Sequence, residues 1–98
     1  DFSHIGPKCG HDHPAEVLLP KAAAYDEAII EGLVEASPEK IFEHAARTGD
    51  YCNVCGLPSM LLFSWLMGPC TPKLLNRKVY DEKATQSAVT YASMIFTR

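Results

Sequence analysis

Ninety-eight residues are enough for one domain and leave no room for two. Hydrophobic residues at 47% and charged residues at 21% suit a folded chain and exclude a disordered one. A formal charge of −3 argues against a nucleic-acid partner, because phosphate binding calls for a clustered basic surface.

Residues 1–20 carry three of the four histidines, with Pro7, Pro14 and Pro20 breaking any helical or strand period. They predict an extended arm lying on a helical core of residues 21–98. Pro20 and the alanine-rich stretch after it open the first predicted helix. Tyr25, Ile29, Leu33 and Ala36 form its apolar stripe, while Asp26, Glu27, Glu31 and Glu35 face water. Ser37-Pro38-Glu39 then reads as N-cap, first-turn proline and acidic first turn of a second helix. Ile41, Phe42, Ala45 and Ala46 give that helix its inner face, and Gly49 stops it.

Pro58 to Met67 is apolar nearly all round, with only Ser59 and Ser64 interrupting. Such a helix must be surrounded, either by its own domain or by a partner. Met60, Phe63, Trp65 and Met67 would be its anchors for a protein or a small apolar ligand. The run falls short of the roughly 18 residues that a membrane span needs. A short helical turn is expected over Pro72 to Asn76. A last helix is expected from Asp81, with Ala84, Ala88, Tyr91, Ala92 and Ile95 on one stripe. The fold class that follows is all-α: about four helices, with the N-terminal arm pinned by cysteines.

Cys52-Asn53-Val54-Cys55-Gly56 is the densest chemical feature. Two cysteines three apart can chelate one metal, and the motif resembles half of a zinc knuckle. Cys9, Cys70, His11 and His13 could complete a zinc site. Residues 9, 11 and 13 share a side if the arm is extended. The alternative favoured here is two disulfides among Cys9, Cys52, Cys55 and Cys70, tying the arm to the apolar helix and needing no cofactor. Each would contribute on the order of 2–4 kcal/mol.

A cysteine pair before a helix also resembles the thioredoxin superfamily, which would imply thiol–disulfide exchange. Here the preceding segment is helical, no βαβ alternation is present, and Pro58 starts the helix beyond Cys55. His4 has no ligand partner at useful spacing and reads as a surface residue; His44 reads as half-buried on the second helix. No serine, histidine or carboxylate arrangement supports hydrolysis. The expectation is therefore a non-enzymatic binding or accessory protein, secreted or a subunit of a larger assembly, stabilised by cysteine crosslinks. The chain begins at Asp1 rather than Met and has four cysteines, so a secreted or organellar setting is favoured over the cytosol.

Overall fold

The computed structural model describes residues 1–98, and their order is mixed: strand β1 (His4–Ile5), helices α1 (Ala15–Val34), α2 (Pro38–Thr48) and α3 (Leu57–Met67), then strands β2 (Thr71–Glu82) and β3 (Ser87–Thr97). The strands form one antiparallel sheet in the order β1-β3-β2. Thr71 pairs with Thr97 and Glu82 with Ser87, and a bulge at Leu75 shifts the register between Leu74 and Asn76. On the other edge of β3, His4 pairs with Val89 and Ile5 with Ala88.

The all-α expectation is thus overturned by the last third of the chain. Neither the helical turn over 72–76 nor the helix from Asp81 exists; a single turn of 3₁₀ helix, Lys83–Thr85, connects two long strands. Along β3 the more buried positions are Ala88, Thr90, Ala92, Met94 and Phe96, a period of two. The supposed helical stripe places Ala88 and Ala92 on one face of the strand and Tyr91 and Ile95 on the other. Two small residues and a threonine on the inner face leave the alternation almost without hydrophobic contrast.

The first two helices follow local chemistry. Ser37 accepts the Lys40 amide on its hydroxyl at 3.2 Å, and Gly49 closes α2 in the left-handed conformation. α1 starts at Ala15, six residues before the predicted Lys21, and carries Pro20 inside it. Proline there deletes one i→i−4 bond near the start, where few intrahelical donors are yet engaged.

Helix α1 lies on the sheet, α2 packs on α1, and α3 packs on α2. One core cluster joins Phe2, Ile29, Ile30, Leu33, Ile41 and Val54. The second joins Ile5, Ala15, Leu18, Ala22, Cys52 and Ala88. Phe2 and Ile5 come from the N-terminal segment, so this arm is part of the core. No helix is long and apolar enough to cross a membrane.

Candidate metal centre

The four cysteines are all free thiols, which overturns the disulfide expectation. Their settings show why. The Cys52 side chain is buried against Ile5, Ala15, Leu18, Ala22 and Ala88, whereas Cys55 is exposed. Cys9 ends a 3₁₀ turn, Pro7–Cys9, half-buried; Cys70 is half-buried between α3 and β2.

The connecting loop explains the divergence. Asp50 and Asn53 both adopt left-handed backbone conformations, at φ 48° and 53°. Both residue types tolerate that region better than most. The Asp50 carboxylate accepts the Val54 amide at 3.0 Å, and the Asn53 amide donates to the Asp50 carbonyl at 2.9 Å. This tight winding turns Cys52 inward and Cys55 outward.

The N-terminal arm is held at the Cys52–Cys55 loop by hydrogen bonds, not by the cysteine crosslinks expected from the sequence. The His4 amide donates to the Cys52 carbonyl at 2.7 Å. Asn53 Nδ2 donates to the carbonyls of His4 and Cys9. His11 Nδ1 accepts the Gly6 amide at 3.0 Å, so its Nε2 carries the hydrogen, donated to the Tyr51 carbonyl at 2.7 Å. Both ring nitrogens of His11 are therefore committed and neither is free for a metal. His13 is exposed.

The loop and arm together build a different trio. Asp1, His4 and Cys55 each present a ligand atom, and these atoms lie within 4.8 Å of one another. Gly56 has a direct part in this: a Cβ there would come within 2.9 Å of the Asp1 carbonyl oxygen and 3.1 Å of Met60 Cε. Only a residue without a side chain lets the start of the arm lie against the loop. His4 Nδ1 is 3.1 Å from the Phe2 carbonyl, which can only accept, so Nδ1 donates and Nε2 holds the lone pair. Asp1 also borders an open apolar cavity of about 380 Å³, lined in part by Phe2, Met60, Phe63 and Phe96.

Of the residues singled out in the sequence, the structure brings Cys55 to this trio and leaves Cys9, Cys52, Cys70, His11 and His13 outside it. Asp1 and His4 were missed. They share an i, i+3 spacing on a short arm, but their partner is more than fifty positions away, and nothing local marks it. Burial is the main cause that pushes the Cys52 thiol up, and the Asp26 charge adds to it. That is the reverse of the activated, accessible thiolate that disulfide exchange needs.

The predicted anchors on α3 divide. Trp65 is 75% exposed and Phe63, in edge contact with Phe96, is 39% exposed. Met60 and Met67 are half-buried. With Phe42 of α2, Leu61, Leu62 and Trp65 line an open apolar groove of about 660 Å³.

No protein-family model matches the chain. No solved structure matches it either. Among curated proteins it is similar to a MEMO1 family protein of Aquifex aeolicus (strain VF5), with 30% identity over 99 residues. The alignment covers 98% of this chain and 25% of the relative, so the chain spans about a quarter of the length of the protein it matches.

Proposed function

We propose that the chain supplies three ligands, Asp1, His4 and Cys55, to one divalent transition-metal ion. The observation that carries this reading is their convergence from two distant segments onto a common point. Tetrahedral coordination at metal–ligand distances of ~2.0–2.3 Å separates ligand atoms by about 3.5 Å; the exposed Asp1 and Cys55 side chains can rotate to close the site on the half-buried His4. The donor set of one carboxylate, one imidazole and one thiolate suits zinc or ferrous iron better than calcium or magnesium.

The residues themselves are prepared for the role. The Phe2 carbonyl fixes the His4 tautomer, as outer-shell acceptors do for metal-binding imidazoles. Gly56 keeps Asp1 close to the loop. Three protein ligands leave a coordination position open, and a bound ion would act there as a Lewis acid toward water or an oxygen-bearing ligand. In the Aquifex aeolicus protein the matching stretch is a quarter of a longer chain. That supports a site whose remaining ligands are water or groups from other protein segments.

Titration of the reduced chain with Co²⁺ tests this, because a cobalt–thiolate bond gives an intense near-ultraviolet charge-transfer band. Wild type is expected to develop the band, Cys55→Ser to lose it, and Cys52→Ser to keep it. No band at saturating Co²⁺ in wild type would sink the reading.

A second reading rests on a separate observation: Phe42, Leu62, Trp65 and Leu66 are 54–75% exposed across neighbouring helices. An accessory role in which this surface docks a protein partner is the use such a patch suits.

A further inference from the structure

We infer that Asp26 is a positioning residue for the Asp1–His4–Cys55 site, acting through Ser3; the inference rests on the metal-site reading above. Asp26 sits on α1 and is 2% exposed. Its Oδ1 accepts a hydrogen bond from the Ser3 hydroxyl at 2.7 Å. Two cations of β2, Arg77 and Lys78, line a cavity of about 260 Å³ with Asp26; Arg77 pairs with Glu27 and the Ala23 carbonyl instead, and Lys78 makes no ion pair with Asp26. A carboxyl group buried with so little compensation is a net expense to the fold. An apolar residue would pack this position at less cost, so what Asp26 holds is the point of interest.

It holds the residue between two ligands. Ser3 is fully buried and lies two positions after Asp1 and one before His4. Its backbone is clamped to β3 on both sides: the Ser3 amide donates to Thr90 Oγ1 and the Thr90 amide to the Ser3 carbonyl, each at 2.9 Å. The Phe2 amide donates to the Thr90 carbonyl at 2.8 Å. Those bonds set the strand's height on the sheet. The bond to Asp26 adds the third direction, drawing Ser3 toward α1. Because neighbouring side chains on an extended segment point to opposite sides, a Ser3 locked inward holds His4 outward, toward Cys55. Loss of the hook would leave the ligand arm free to rock about the Thr90 contacts. Outer-shell changes of this kind weaken metal sites by roughly 10–100-fold.

The test uses Co²⁺ alone as probe on the reduced chain, with affinity read from the thiolate charge-transfer band. Asp26→Leu and Ser3→Ala are each expected to lower Co²⁺ affinity by roughly 10–100-fold. Asp26→Asn, which keeps an oxygen acceptor for Ser3, is expected to stay near wild type. A purely structural role would lower the thermal midpoint of the metal-free chain without changing the affinity of its folded fraction. Wild-type affinity in folded Asp26→Leu overturns the positioning role while leaving the metal site standing; if Asp26→Leu does not fold, the same result in Ser3→Ala does so. Absence of the band in wild type overturns the site itself, and this inference with it.

Discussion

Cys52 and Cys55 are three residues apart and chemically opposite. Burial raises the pKa of the first, while the second stands exposed beside Asp1 and His4. Timed alkylation near pH 8 followed by peptide mass analysis is therefore expected to label Cys55 fast and Cys52 only after denaturation. Comparable rates at the two would contradict the burial argument. His44 offers a pH prediction. It is buried with Nδ1 lacking a partner, and desolvation, then the Arg47 charge, lower its pKa below 6.5, with Asp50 opposing. The unfolded chain thus binds a proton that the folded chain resists. The stability associated with neutral His44 is complete above the unfolded value near 6.5 and is lost as pH falls below it toward the folded value. His44→Leu is expected to flatten the fall in urea-unfolding free energy between pH 7 and 5; an unchanged slope would show that other groups cause it.

At the scale of elements, the α1–α2 crossing turns on Gly32. A Cβ there would collide with Cγ1 of Ile41, which is fully buried and has nowhere to go. Alanine would add about 1 kcal/mol of helix propensity, but overpacking costs about 1–3 kcal/mol. Gly32→Ala is therefore expected to destabilise the chain in denaturant titrations, and to cost less in an Ile41→Ala background, where the colliding Cγ1 is gone. The same elements show what was legible. Ser37 and Gly49 bound α2 by contacts within a few residues, so their types announce the helix ends. Strand β3 is different, since its inner face of Ala88, Thr90, Ala92, Met94 and Phe96 acquires meaning only from α1 and α3 above it. Pairing with β2 supplies backbone bonds that no residue type advertises.

Across the whole molecule, apolar surface is unevenly covered. Trp65 and Leu66 are 75% and 71% exposed, and on β2 Leu74, Leu75, Val79 and Tyr80 are 40–60% exposed. The long outer edge of β2 is blunted by Pro72, Lys73 and Lys78 and by the bulge at Leu75, devices that discourage strand pairing. The α3 face has no such protection. Trp65→Gln is expected to change unfolding free energy by less than about 0.5 kcal/mol, since little is buried there. Wild type is expected to associate as its concentration rises in sedimentation velocity and Trp65→Gln to associate less; equal behaviour of the two would count against docking through this face.

The sequence alone determined the three main helices in outline, the caps of α2 and the apolar character of α3. All of these depend on residues within a few positions of one another. Tertiary structure decided the sheet and the partners of the cysteine pair. It also decided the convergence of Asp1 and His4 on Cys55, because a tight turn and a glycine contact bring together segments that no periodicity connects. The physical reason is the same in each case: side-chain direction in a turn or a strand is set by the backbone around it, and that backbone is held by bonds to distant chain.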